Sequence, residues 1–150
     1  MQRVVITGLG IWSCLGTTLE EVRDALYAGK SGIVLDPVRK EMGFRSGLTG
    51  KVELPDLKKE LPRAQRVFMP EPALYAYCAT RDALKHAGID QDYLDSHEVG
   101  LLYGNDSTAD PVYKFTAKIM EKKDTMLCGS GAIFQSMNST VTMNLGVIFH

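Results

Sequence analysis

The 150-residue chain carries 17 basic and 18 acidic residues, for a formal net charge of −1, with 45% hydrophobic and 23% charged residues. That balance belongs to a globular protein able to bury roughly 70% of the surface it exposes when unfolded, and it excludes a disordered or fibrous class. A nearly neutral field gives no reason to expect nucleic acid or an anionic membrane as partner. Apolar runs such as Val99 to Tyr103 and Leu145 to Phe149 fall far short of the ~20 residues that cross a bilayer.

The chain opens Met1-Gln2-Arg3-Val4-Val5-Ile6-Thr7, with no separate apolar region or small-residue cleavage site of a secretory leader, so a cytoplasmic location is expected. The β-branched run Arg3 to Thr7 predicts a buried strand feeding a turn at Gly8-Leu9-Gly10. Glycines after a strand also suit a dinucleotide-binding turn. Here Ser13 stands where G-x-G-x-x-G needs its third glycine, and no acidic ribose-binding residue follows at about 20 residues. Nucleotide binding is set aside and no cofactor is expected. Cys14 could sit beside a helix N-terminus that lowers a thiol pKa, but packing is the preferred reading, because a free cysteine in a core behaves as a small hydrophobe.

Thr17-Thr18-Leu19-Glu20-Glu21 offers two overlapping capping boxes. Leu19, Val22 and Leu26 recur at helical spacing, and Gly29 supplies a residue able to close the helix. Residues 31–62, broken by four glycines and three prolines, read as loops, with a short strand over Leu48 to Val52 and a helical turn over Asp56 to Leu61. Pro72 suits a first helical turn and Glu71 its positive end, which predicts a long helix closed by Gly88. After the polar stretch Asp90 to Glu98, Val99 to Gly104 reads as a second buried strand, with Asn105-Asp106-Ser107 beyond its carboxyl end, where α/β proteins favour ligands. Val112, Phe115 and Ile119 predict a surface helix over Pro111 to Lys123. Met137, Val141 and Leu145, four apart, predict a last helical segment over Phe134 to Phe149. Three widely spaced cysteines, Cys14, Cys78 and Cys128, and three scattered histidines form neither a disulfide framework nor a metal-ligand pattern. The order of elements points to an α/β class.

Together, Val4-Val5-Ile6-Thr7-Gly8-Leu9-Gly10, Gly16 and Gly29-Lys30-Ser31-Gly32-Ile33 resemble the opening of β-ketoacyl-acyl-carrier-protein synthases. Val67-Phe68-Met69 with Ala73-Leu74-Tyr75-Ala76 resembles that family's Arg-Phe-Met segment and following helix, and Val99 to Gly104 resembles its next core strand. Pro70-Glu71-Pro72 departs from the family's Ser-Asp-Ala, and Asn105-Asp106-Ser107 replaces a glycine-rich loop.

The resemblance implies a thiolase-like layered α/β/α/β/α fold, of which residues 1–150 form most of the first half. It implies decarboxylative Claisen condensation by the whole enzyme, in fatty-acid or polyketide synthesis, with acyl carrier protein as partner and a homodimer as the assembly. The family's nucleophilic cysteine is expected just past His150 and its two histidines in the second half, so no catalytic residue is expected in this chain and the chain alone is expected to be inactive. Gly104, Asn105, Asp106, Ser107, Phe134 and Met137 become acyl-pocket candidates. Arg63, Arg66, Lys122 and Lys123 become carrier-docking candidates, against the plain alternative of a solvated surface. A non-catalytic partner subunit of the chain-length-factor kind shares the fold and remains open.

Overall fold

The computed structural model describes residues 3–106 and 108–149. Eight α-helices, a single 3-10 turn (Thr125–Leu127) and one two-stranded antiparallel sheet are formed among them, arranged in two compact units. The first unit comprises Met1–Leu54 with Cys78–Gly88, and the second Pro55–Tyr77 with Ile89–His150.

In the first unit, helix α1 (Leu19–Tyr27) begins as its local chemistry dictates. Of the two overlapping boxes the chain uses the second: Glu21 donates its backbone N–H to Thr18 Oγ1 at 3.2 Å. The Glu21 carboxylate accepts from the backbone N–H groups of Thr17 at 2.8 Å and Thr18 at 3.2 Å. Gly29 takes the left-handed φ of 61° that closes the helix. The buried face is Val22 and Ala25 rather than the expected stripe ending in Leu26, which faces out.

Strands β1 (Ile33–Leu35) and β2 (Leu48–Gly50) pair antiparallel, Ile33 opposite Gly50 and Leu35 opposite Leu48. Only the second was expected from sequence. Between them lies the short helix α2 (Pro37–Glu41), where Asp36 caps by accepting from Val38 N–H at 3.0 Å and Pro37 occupies the first turn. Arg39 fastens the hairpin, donating to the Leu48 carbonyl at 3.0 Å with its guanidinium 5.0 Å from the Phe44 ring centre.

The expected strand over Arg3 to Thr7 does not form. Val4, Val5 and Ile6 are exposed, Val4 at 95%, and no ladder partner lies beside them among the described residues; a strand without a neighbour has no hydrogen bonds to define it. The chain instead runs against helix α4 (Glu71–Ala87). A Cβ at residue 10 would stand 1.8 Å from the Ala79 carbonyl oxygen, and one at residue 8 would stand 2.2 Å from that of Ala83. Only glycine permits this approach, so the Gly8-Leu9-Gly10 pattern serves backbone packing. Leu9 N–H donates to His86 Nδ1 at 3.1 Å, and Trp12 Nε1–H donates to the Glu53 carbonyl at 2.9 Å.

In the second unit the segment 57–61 makes a turn that buries Leu57 and Leu61 ahead of the single-turn helix α3 (Arg63–Arg66). The first seven residues of α4 follow, with Ala73, Ala76 and Tyr77 buried. The polar stretch after Gly88 holds an unexpected helix, α5 (Gln91–Ser96), capped by Asp90 accepting from Tyr93 N–H at 2.9 Å. The expected strand Val99 to Gly104 is likewise an exposed, unpaired segment, for the same lack of a neighbouring strand.

Helix α6 (Ala109–Lys122) matches expectation and is braced by a Lys114–Asp110 ion pair at 2.7 Å. The expected continuous helix over 134–149 is broken into α7 (Gly131–Ser136) and α8 (Thr140–Phe149). At the break Met137 turns extended at ψ 144°, and Asn138-Ser139 begin a new helix, Ser139 accepting from Met143 N–H at 2.9 Å. Short polar side chains compete with helical backbone bonds and favour such ends. Val141 and Leu145 are buried as expected, whereas Met137 is exposed. The Phe149 ring stacks on Tyr77 with 5.6 Å between centres. No helix of the described residues is long and apolar enough to cross a membrane.

Two outcomes follow from these contacts. Gly10→Ala should cost about 2 kcal/mol or more in urea unfolding, because backbone rather than a flexible side chain must move; an unchanged midpoint would show that the close approach is not maintained. The two backbone N–H bonds hold the Glu21 carboxyl below its usual 4.5. A carboxyl depressed on folding supports α1 fully above its unfolded value and loses that support as pH falls through the folded one. The protection factors of the Thr17 and Thr18 amides, corrected for intrinsic exchange, should therefore fall on acidification, and Glu21→Gln should abolish that dependence.

Candidate functional site

Every candidate site residue from the sequence lies in the second unit. Gly104 and Asp106 are exposed at the end of the extended 99–104 segment, and Ser107 lies outside the described residues. Asn105 is half-buried and does the joining. Its side-chain amide donates to Thr108 Oγ1 at 3.0 Å and to the Asn138 carbonyl at 3.2 Å. Loop 104–106 is thereby fastened to the α7–α8 turn, next to Met137, so the two stretches proposed as pocket walls are neighbours.

Phe134 meets Phe68 edge to face with ring centres 5.8 Å apart. Phe68 and Phe134, with Met143, Val147 and Ile148, line an apolar cavity of about 390 Å³ that also meets Gln65 and Asn144. Met137 does not line it. Gly131 lies against the Phe68 ring; a Cβ there would stand 3.2 Å from it, so that a larger residue would make the ring shift by a few tenths of an ångström.

The basic candidates divide. Arg63 and Arg66 share the single turn of α3, Arg63 exposed and Arg66 half-buried with its Nε–H donated to the Leu61 carbonyl at 3.0 Å. Among the described residues neither has a carboxylate partner. Lys122, at the end of α6, is already compensated by Glu121 at 2.6 Å. Lys123 closes that helix in the left-handed conformation at φ 53°, its N–H donated to the Ile119 carbonyl at 2.8 Å. Lys114 is held by Asp110, whose hydrogen bond pushes its pKa above 10.5. Of the four candidates, Lys122 alone has an ion pair among the described residues, and Arg63 and Arg66 stand together on one turn.

The Cys14 thiol lies against two glycines: a Cβ at residue 32 would stand 2.7 Å from its sulfur and one at residue 50 would stand 3.4 Å away. The cleft beside it holds Glu21, Lys30, Lys51 and Glu53 but no histidine. Cys78 is wholly buried.

Sequence reasoning placed Gln135 with Phe134 and Met137 on the candidate acyl-pocket segment but missed the contact it makes, and missed the carboxamide of Asn144; both reach the backbone beside Phe68. The available signal was an asparagine within the apolar run Val141 to Phe149, four residues after Thr140.

The family described as "Beta-ketoacyl synthase, N-terminal domain" matches residues 1–147. The chain is 40% identical over 104 residues to 3-oxoacyl-[acyl-carrier-protein] synthase 1 of Haemophilus influenzae, covering 69% of this chain and 25% of the relative. Its Escherichia coli K12 counterpart is 32% identical over 151 residues, covering 99% of this chain and 37% of the relative. The crystal structure of a β-ketoacyl synthase from Burkholderia phymatum superposes with a TM-score of 0.80 at 27% identity, covering 99% of this chain and 37% of that one. The chain thus spans little more than a third of these relatives at most.

The Asn105 fastening is testable by Asn105→Asp, which keeps the shape and removes both donated hydrogen bonds. A loss of about 1–3 kcal/mol is expected, with faster amide exchange at residues 104–106 and 138–139; slow exchange at both sites in the variant would show the loop to be held by something else.

Proposed function

The chain belongs to the β-ketoacyl synthase N-terminal domain family, and from that premise we propose that residues 1–150 form the first part of a 3-oxoacyl-[acyl-carrier-protein] synthase. The observation that carries the reading is the family match over residues 1–147. The apolar cavity beside Phe68 and Phe134, with the uncompensated arginines of α3 in the same unit, supports it. In this proposal the exposed runs 3–7 and 99–103 are strands of the complete enzyme's sheets, and their apolar side chains are covered when those sheets are whole. The complete enzyme acts in the cytoplasm as a homodimer.

The reaction is decarboxylative Claisen condensation. An acyl group held as a thioester on a cysteine is attacked at its carbonyl by the carbanion equivalent that malonyl-carrier protein becomes on losing carbon dioxide. The new carbon–carbon bond forms as the cysteine thiolate leaves, and the product is a 3-oxoacyl group on the carrier, longer by two carbons. The nucleophile and the histidines that stabilise the enolate come from beyond residue 150.

This chain contributes three things. Phe68 and Phe134, with Met143, Val147 and Ile148, give apolar wall for the acyl group, and Met137 with loop 104–107 is proposed as a further stretch of acyl-pocket lining outside that cavity. Arg63 and Arg66 receive the acidic carrier protein, with Lys122 and Lys123 as an outer basic pair. The packed glycine turn and α4 give the scaffold.

Charge reversal tests the docking surface. In the polypeptide that carries this chain, Arg63→Glu and Arg66→Glu should each raise the KM for acyl-carrier substrate by about tenfold at low salt, with the effect shrinking as salt is added. Lys122→Glu should do less, because Glu121 already neutralises that lysine. Unchanged KM in both arginine variants at low salt would remove docking from α3.

A further inference from the structure

Helix α3 has little of its own to hold it in place. It is one turn long, too short to be stable alone, and its N-cap, Pro62, makes no side-chain capping bond. On its upstream side the Arg66 guanidinium is tied to the Leu61 carbonyl. On its downstream side two consecutive carbonyls are gripped by amide side chains from far along the chain. Gln135, on α7, donates Nε2–H to the Val67 carbonyl at 2.6 Å. Asn144, on α8 and 6% exposed, donates Nδ2–H to the Phe68 carbonyl at 3.2 Å. The same Asn144 amide group bonds the Thr140 carbonyl at 2.7 Å, which fixes the plane of the carboxamide.

These bonds connect the two parts of the proposed site. Val67 and Phe68 continue directly from the arginines of α3, Phe68 is a wall of the cavity, and α7 carries Phe134, which packs on Phe68. The buried Asn144 amide is costly to remove without replacement, while the more exposed Gln135 bond adds a second fixed point on the same segment.

We propose that Gln135 and Asn144 are positioning residues for carrier docking: they lock the segment after α3 to α7 and α8 and so hold Arg63 and Arg66 in a fixed orientation relative to the acyl cavity. The inference rests on the docking role proposed above for α3. It adds that this role depends on two uncharged side chains nearly 70 or more residues away in sequence.

The test uses Gln135→Glu and Asn144→Asp in the polypeptide that carries this chain. Each keeps the side-chain shape and removes the donor. Two substrates with the same acyl group are compared, one on carrier protein and one on a small pantetheine thioester that has no carrier surface. The expected result is a rise of about tenfold in KM for the carrier substrate relative to the small thioester, with a flatter salt dependence of the carrier KM because the arginines are no longer well aimed. Parallel rises for both substrates, or no rise for either, would overturn the inference, since a merely structural role cannot tell the two apart. Should Asn144→Asp fail to fold, Gln135→Glu, at a half-buried position, gives the same comparison. If the arginine reversals leave carrier KM unchanged, the docking reading fails and this inference falls with it. If they raise it while the amide variants do not, the inference alone fails.

Discussion

The approach of residues 8–10 to the backbone of α4 is the constraint on which the first unit depends. Two missing side chains let this segment lie directly on the carbonyls of Ala79 and Ala83, at separations no Cβ could share. Helix α4 answers with alanine at 79, 83 and 87, so the contact is backbone against a small-residue face. The consequences run outward along the chain. With residue 10 seated, Leu9 can bond His86 and Trp12 can reach Glu53, while the capped α1 and the hairpin follow. The same helix gives its first seven residues to the second unit, where Ala73 and Ala76 are among the most buried positions. A single element whose sequence favours small side chains thus serves both packing problems.

What could be read from the sequence divides by the range of the interaction. The capping box of α1, Gly29 as its closing residue and Pro72 in the first turn of α4 are decided by neighbours within a few positions, and all three stand as expected. The runs Val4 to Thr7 and Val99 to Gly104 were expected to be strands because their composition favours pairing. Pairing needs a partner, and among the described residues none is beside them. Local propensity states that a segment can be a strand and is silent on whether a neighbour exists. The break at Met137 was legible in principle, since Asn138-Ser139 is a polar pair inside an apolar period, but the spacing of Met137, Val141 and Leu145 outweighed it.

The site shows the same division. Phe134 and Gly104 to Ser107 were named through resemblance, and the Asn105 bond to Asn138 brings their segments together. The basic candidates were named as equals, and they differ in their neighbours: Lys122 lies 2.6 Å from the Glu121 carboxylate, while Lys123 and the arginines of α3 have no carboxylate partner among the described residues. The bonds of Gln135 and Asn144 were not foreseen because nothing in one dimension links residue 135 to residue 67 or residue 144 to residue 68. The amide side chains matter through a fold-dependent coincidence, visible only once α7 and α8 lie against the segment after α3.

The central claim is a division of labour, in which this chain supplies scaffold, acyl wall and docking surface while the nucleophile lies beyond residue 150. In this chain Cys14 packs on two glycines and Cys78 is wholly buried. Peptide mapping of the polypeptide that carries this chain, after incubation with acyl-loaded carrier protein, tests it most directly. The account predicts an acyl thioester on a cysteine following residue 150 and none on Cys14, Cys78 or Cys128. A thioester on any of those three, or no acylation at all, would contradict it.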